Sequence, residues 1–162
     1  MIYFTTFMFT LLLSHVARAV PCGNVASPQK KYDINQPILS DLPTYKVTWD
    51  DIYDSGDVNT NNVACSNGPN GLAGTYPYFE DFPDFPYLGG AFDIKWGSPN
   101  CGKCWNLTDT QTSRWIYFTA IDATESGFNI GQEAFTALNG GTVGNGTLEV
   151  EAISVPVHFC GR

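Results

Sequence analysis

The stretch Pro99–Trp105, PNCGKCW, contains two cysteines separated by two residues. Such a pair serves as half of a zinc site, as a redox dithiol, or as parts of two separate disulfides. A structural zinc site needs four ligands, and the other candidates in the mature chain are only His158 and single cysteines rather than a second pair. A redox pair belongs at a helix N-terminus, whereas Cys104 leads into a β-rich run. We therefore favour two disulfides, although spacing alone does not choose among three pairings.

The N-terminal residues 1–19 predict a secretory signal peptide. Residues 2–13 are apolar or threonine, and Ala17-Arg18-Ala19 provides the small residues of a cleavage site. The apolar run is too short to span a bilayer, and no later run is long enough. We therefore expect no membrane span. Two sequons, at Asn106 and Asn145, are candidate glycosylation sites and agree with a secreted chain.

Charge limits the partners of the mature chain. Removing 19 of the 162 residues takes away one basic side chain, Arg18, which leaves 143 residues with 7 basic and 16 acidic side chains. The resulting net charge of −9 makes nucleic acid and anionic membranes poor partners. We expect one domain, no metal and no cofactor. Neutral or cationic partners fit better.

The residue pattern of the sequence changes near Lys46. Four prolines interrupt residues 20–45, and we predict an irregular N-terminal extension, either a strap on the domain or plain disorder. Cys22 lies in this extension and is the odd cysteine, either free or intermolecular. Residues 46–162 form the predicted domain. Within it, strands are predicted at residues 46–49, 91–96, 104–108, 114–122 and 147–155.

A single helix is predicted at residues 129–139. Ile130, Phe135 and Leu138 lie near one side of it, and Gly140 supplies a stop. Asn129 is the expected N-cap, with Gln132 as its capping-box partner. The chain is therefore predicted to be mainly β.

Six stretches of the sequence cover most of the chain from Val47 to Arg162. The stretches are VTWDDIYD (47–54), VACSNGPNGL (63–72), FPYLGGAF (85–92), WGSPNCGKCWNLT (96–108), AIDATESGFNIGQEAFTAL (120–138) and HFCGR (158–162). Taken together, they resemble the cerato-platanins, a family of small secreted fungal proteins.

The resemblance implies a fold and a disulfide pattern. It implies a six-stranded double-psi β-barrel with short helices, related to the first domain of expansins. It also implies the pairings Cys65–Cys101 and Cys104–Cys160. Family members usually lack the extension that carries Cys22, so this chain departs from the pattern there.

The resemblance also implies a carbohydrate-binding groove. Expansin-like grooves use a threonine and acidic residues, and the matching positions are Thr48 and Asp122. The second acidic position of expansins matches Asn129, whose amide cannot accept a proton. Glycoside hydrolysis needs two carboxylates, so the resemblance implies binding without catalysis. Weaker candidates for the groove are Trp49, Asp50, Asn129 and Gly127.

By resemblance, the expected partners are chitin or N-acetylglucosamine oligomers, with cellulose as a second polysaccharide. A plant cell-surface receptor and self-assembly are further expectations, with a location outside the cell or in the fungal wall. The leading prediction is a non-catalytic sugar-binding and wall-loosening protein that acts as elicitor or effector towards plants. Two alternatives stay open: an interfacial, hydrophobin-like structural protein and a weak glycan hydrolase.

Overall fold

A computed structural model describes residues 42–162 of the chain. The predicted signal peptide, nearly all of the predicted N-terminal extension and Cys22 lie outside the described residues. In the described part, no helix is long and apolar enough to cross a membrane.

Six strands close into a barrel in the order β1-β5-β2-β4-β3-β6. Two neighbouring pairs, β1 with β5 and β2 with β4, are parallel, and the other four pairs are antiparallel. The predicted six-stranded double-psi barrel with short helices is therefore confirmed. The strands are β1 Thr44–Trp49, β2 Leu88–Ala91, β3 Cys104–Asp109, β4 Trp115–Ala123, β5 Phe128–Ile130 and β6 Leu148–Val155.

Helical structure in the described residues is short. One α-helix, α1 (Gln132–Leu138), follows β5 directly. Single 3₁₀ turns occur at Asp51–Asp54, Thr60–Asn62, Phe79–Asp81 and Val157–Cys160. The long connection between β1 and β2 contains three of these turns, which agrees with its high content of Asn, Gly and Pro.

Two hydrophobic clusters stabilise the barrel. The main cluster includes Phe118, Phe128 and Val150, which are all fully buried. Phe118 and Phe128 meet edge to face with ring centroids 5.7 Å apart, an arrangement that contributes about 1 kcal/mol beyond burial. A second cluster, which includes Tyr53 and Ile121, packs part of the β1–β2 connection against β2 and β4. Burial alternates along the first part of β6, where Val150 and Ala152 are buried and Glu149 is exposed, as in a strand with one face on the core.

Two disulfides join the barrel to its flanking segments. Cys65 is bonded to Cys101, and Cys104 to Cys160, which are the pairings that the resemblance implies. The bonds close loops of 36 and 56 residues. In the chain-entropy model each contributes about 4 kcal/mol. Since Cys101 and Cys104 each pair elsewhere, the CxxC stretch is neither a redox dithiol nor a zinc ligand pair.

Two predicted local structures are wrong. The predicted strand at 91–96 ends at Ala91, because the amide of Ile94 turns back to donate to the Ala91 carbonyl. The predicted helix begins at Gln132 rather than near Asn129, because Asn129 lies in β5 and pairs with β1 and β2. Strand pairing between distant segments therefore overrides the local capping signal of Asn129.

Candidate functional site

A row of register partners crosses four neighbouring strands and contains three of the predicted site residues. Thr48 of β1 is aligned with Asn129 of β5, and Asn129 is aligned with Gly90 of β2. Gly90 is in turn aligned with Asp122 of β4, next to a register shift in β2. We call Thr48, Asn129, Gly90 and Asp122 the polar row. The sequence distance between its members reaches 81 residues for the Thr48–Asn129 contact.

The first half of the polar row is a side-chain pair. The Thr48 hydroxyl donates to the Asn129 Oδ1 at 3.0 Å, and it lies 3.4 Å from the Phe128 carbonyl. Both side chains are partly exposed, whereas their neighbours Val47 and Phe128 point into the core. The period of two along a strand thus directs Thr48 and Asn129 outward. The Asn129 Nδ2 is directed away from this hydrogen bond and can donate to a ligand.

The second half of the polar row is Asp122, which three donors hold in place. The amides of Ala64 and Ala123 donate to its Oδ1 at 2.9 and 2.8 Å. The Tyr53 hydroxyl donates to its Oδ2 at 3.1 Å. Asp122 therefore ties β4 to the β1–β2 connection, and it also presents a partly exposed acceptor.

Tyr53 is a functional neighbour that the sequence reasoning did not single out. Burial raises the pKa of its phenol well above the ordinary value, and the charges of Asp122 and Asp50 raise it further. The phenol therefore stays protonated and acts as a fixed donor to Asp122. A usable signal existed in the motif VTWDDIYD, where Tyr53 follows the acidic pair at positions 50 and 51.

The weaker candidates fall in different places. Asp50 is exposed and caps the first 3₁₀ turn by accepting from the Ile52 amide at 3.0 Å, while its charge still reaches Tyr53. Trp49 packs, partly buried, against the main core, on the side of β1 opposite to Thr48. The structure therefore does not bring the Trp49 ring together with Thr48.

Gly127 has a backbone role and does not line the polar row. It is buried with a φ of +61°, and a Cβ there would stand 2.1 Å from the Lys46 carbonyl oxygen. Only glycine permits this close approach of the β4–β5 turn to β1. Gly127 therefore has a structural role at this turn, and its contribution to the groove stays a prediction.

The start of helix α1 depends on a residue that the sequence reasoning missed. The Asp54 carboxylate accepts from the amides of Gln132 at 2.6 Å and Glu133 at 3.1 Å. The N-cap residue itself, Gly131, offers no side chain. Asp54 thus takes the capping role expected of Asn129, and it joins the segment after β1 to the segment after β5.

Asp84 is a carboxyl group with a shifted pKa, and the C-terminal residue Arg162 lies close enough for its charge to act on it. Burial raises its pKa to about 6, although the hydrogen bond from the Thr119 hydroxyl and the charge of Arg162 act in the opposite direction. The Thr119 Oγ1 lies 2.6 Å from its Oδ2, while its Oδ1 has no partner. Asp84 is outside the polar row.

No group of three potential ligands among His, Cys, Asp and Glu converges in residues 42–162 as a metal ion would require. An open depression of about 420 Å³, whose lining includes Lys103 and Arg162, shares no residue with the polar row. The polar row is a strip of hydrogen-bonding groups across four adjacent strands of the barrel.

Comparison with known proteins identifies the family. The family model for cerato-platanin matches residues 45–161. The chain belongs to the cerato-platanin family.

Three relatives illustrate the similarity. Cerato-platanin of Ceratocystis fimbriata f. sp. platani is 35% identical over 125 residues, which cover 76% of this chain and 92% of that protein. The crystal structure of cerato-platanin 2 from M. perniciosa is 37% identical with a TM-score of 0.68, and the match covers 74% of this chain and all of that one. The solution structure of the fungal elicitor Cerato-Platanin is also 37% identical, with a TM-score of 0.66, covering 71% and 95%.

Proposed function

We propose that this cerato-platanin is a secreted, non-catalytic protein that binds neutral polysaccharide chains of the N-acetylglucosamine type along the polar row. The observation that carries the proposal is the alignment of Thr48, Asn129 and Asp122 across four adjacent strands. This alignment gives a line of donors and acceptors, with the buried Gly90 between them and the Thr124 methyl packed over it. Hydroxyl and acetamide groups of a sugar chain match such a line.

The absence of a second acid in the row supports binding rather than hydrolysis. Cleavage of a glycosidic bond needs an acid and a second carboxylate on opposite sides of the bond. The residue aligned between Thr48 and Gly90 is the amide Asn129. Asp50 is already engaged as a cap, and Asp122 accepts three hydrogen bonds. We therefore expect the protein to bind and loosen wall polysaccharide without releasing reducing sugar.

A wider role follows from the relatives. One structural relative, 37% identical, is described as a fungal elicitor. A secreted sugar-binding member of the same family is suited to act at the plant surface, as an elicitor or effector. A plant receptor would then be a second partner, and cellulose a second polysaccharide.

The test is an NMR titration of the mature protein with chitin oligomers. We expect shifts in the amides of Thr48, Asn129 and Asp122, and a Thr48→Val variant should bind about tenfold more weakly, because one lost hydrogen bond contributes about 1.5 kcal/mol. Asp57→Asn removes an exposed charge elsewhere and is the matched control. Unchanged spectra at millimolar sugar would refute the proposal and favour interfacial self-assembly.

The hydrolase alternative has its own assay. The charges of Asp50 and Asp122 both raise the pKa of the Tyr53 phenol, so these are the two carboxylates to test. Release of reducing sugar that disappears in Asp50→Asn and in Asp122→Asn would identify a weak glycanase. Binding without any such release would exclude it.

A further inference from the structure

Two features remain unused by the polar row, and they lie side by side on the barrel. One is the sequon Asn106-Leu107-Thr108 in β3. The other is a run of partly or largely exposed aromatic rings, Trp115, Tyr117 and Phe159, which we call the aromatic strip. Trp115 is 58% exposed and Phe159 46%. A contiguous exposed apolar patch is a surface on which another group can pack.

The aromatic strip is continuous. The rings of Trp115 and Tyr117 have centroids 5.1 Å apart, and Tyr117 and Phe159 are separated by the same distance. Trp115 and Tyr117 alternate along β4 with Ile116 and Phe118, which point into the core. The strip therefore lies on the outer face of the barrel.

The sequon lies directly beside the strip. In the antiparallel pairing of β3 with β4, Asn106 is opposite Tyr117 and Thr108 is opposite Trp115. Residues opposite each other in such a pair have Cβ atoms only about 5 Å apart. Asn106 and Thr108 also share the outer face, because Trp105 and Leu107 are buried. One sugar ring attached to Asn106 would therefore be within reach of the aromatic rings.

The orientation of the Asn106 side-chain amide favours contact of a glycan with the aromatic strip rather than with the opposite side of β3. The Asn106 Nδ2 donates to the Ile116 carbonyl of β4 at 3.3 Å, while the Oδ1 accepts from the Thr108 hydroxyl at 3.2 Å. Asn106 and Thr108 also line a depression of about 150 Å³ on the β6 side, together with Ile153, but the amide nitrogen makes its hydrogen bond on the β4 side. The nitrogen that would carry a glycan thus points towards β4 and its aromatic residues.

We infer that Asn106 carries an N-linked glycan whose first N-acetylglucosamine stacks on Trp115 and Tyr117. The inference rests on the secretion included in the proposed function. A lipid-pyrophosphate-linked oligosaccharide is the donor: the bond from its anomeric carbon to the phosphate oxygen breaks, and a bond to the Asn106 Nδ2 forms. The lipid pyrophosphate leaves with the electron pair of the broken bond, and the nitrogen gives one proton to solvent water. The remaining N–H still donates to the Ile116 carbonyl.

The physical reason for stacking is complementary chemistry. One face of N-acetylglucosamine consists of C–H groups, and aromatic rings carry negative charge on their faces, so the two attract each other and exclude water. The glycan would cover apolar surface that otherwise promotes association.

The second sequon offers a contrast. Asn145 lies in an exposed turn, where its Oδ1 accepts from the Thr147 amide, and it is not part of a strand.

The first experiment is site occupancy. The full chain is secreted from a eukaryotic host that attaches N-glycans, and its glycopeptides are mapped by mass spectrometry. We expect Asn106 to be occupied in the wild type and in Asn145→Gln, and the mass increment at this site to be lost in Asn106→Gln and Thr108→Ala. Occupancy of Asn145 alone would overturn this inference and leave secretion standing. If neither site is occupied and the chain stays in the cell, both secretion and this inference fail.

The second experiment tests stacking. Acrylamide should quench the fluorescence of the glycosylated protein less than that of Asn106→Gln, and this difference should vanish in a Trp115→Phe background. NMR should show upfield shifts of the first N-acetylglucosamine protons, which are lost in Trp115→Ala. Asn145→Gln is the matched control and should retain both signals. Equal quenching with and without the Asn106 glycan would overturn the stacking, as would upfield sugar shifts that persist in Trp115→Ala.

Discussion

Asp84 should make the barrel less stable at neutral pH than in mild acid. Its pKa in the folded protein is raised from 3.8 to about 6, chiefly by burial. Between these two pH values the folded state holds a proton that the unfolded state releases. The free energy of unfolding therefore falls as the pH rises from about 4 to 6, and the loss is complete above the folded pKa.

The size of the effect follows from the shift. Each pKa unit corresponds to about 1.4 kcal/mol, so a shift of roughly two units corresponds to about 3 kcal/mol. Because Asp84 is only partly buried, solvent screening reduces this to about 2 kcal/mol. An asparagine at position 84 keeps an oxygen for the Thr119 hydroxyl but carries no charge. We compare the free energy of unfolding of Asp84→Asn with that of the wild type. This difference should be about 2 kcal/mol more favourable to the variant at pH 7 than at pH 3.5.

The assay is urea unfolding of wild type and Asp84→Asn at several pH values from 3.5 to 7.5, each followed by circular dichroism. The difference in unfolding free energy between the two proteins is the informative quantity, because the other carboxyl groups titrate in both. Asp57→Asn, which removes a carboxylate at an exposed site, is the control variant. A difference between wild type and Asp84→Asn that stays constant from pH 4 to 7 would refute the reasoning.

Three further predictions concern single contacts. Asp54→Ala removes the acceptor for two helix amides and should lower the free energy of unfolding by about 1–2 kcal/mol, as measured by urea denaturation, whereas no change would contradict a capping role. Replacing Cys65 and Cys101 together by serine should lower the free energy of unfolding by about 4 kcal/mol in the same measurement. A loss below about 1 kcal/mol would argue against loop entropy as the source of the disulfide's stabilisation. Tyr53→Phe leaves Asp122 without one hydrogen-bond donor and should lower the free energy of unfolding, measured with heat or urea, by about 1–2 kcal/mol. An unchanged free energy of unfolding would show that water replaces the hydroxyl.

The architecture could be predicted because its signals are repeated along the chain. The alternation in β6 and the nearly continuous apolar run in β4 correspond to the observed burial of Val150, Ala152, Phe118 and Ile121. Each of these patterns arises from a strand that has one or both faces buried, so a short window of sequence is sufficient to detect it.

The start of the helix could not be predicted from a short window. Asn129 has the chemistry of a cap, but β5 pairs with strands that lie about 80 residues earlier and about 40 residues earlier in the chain. The actual capping residue, Asp54, is 78 residues from Gln132 in sequence. A cap supplied across such a distance leaves no trace in the local pattern, and only the closed barrel brings the two segments together.

The candidate site was accessible to sequence reasoning only in part, for the same reason. The resemblance pointed to Thr48, Asp122 and Asn129, and the barrel aligns all three. Tyr53 went unnoticed because its contact with Asp122 spans 69 residues. The Trp115–Tyr117 pair was also missed, since two aromatic residues in an apolar run suggest a core rather than an outer face.

The two roles considered for Asp122, a structural brace and a ligand acceptor, are compatible. An ionised carboxylate offers about four positions for accepting hydrogen bonds. Three are occupied, by the amides of Ala64 and Ala123 and by the Tyr53 hydroxyl. About one position remains for a sugar hydroxyl, and using it requires no rearrangement of the brace. The same three donors fix the carboxylate in place, so a ligand gains one hydrogen bond here without the entropic cost of ordering the side chain.

The polar row offers only a few such contacts on an open surface. It should therefore bind single oligosaccharides weakly and long polysaccharides better, because a long chain offers many equivalent binding registers.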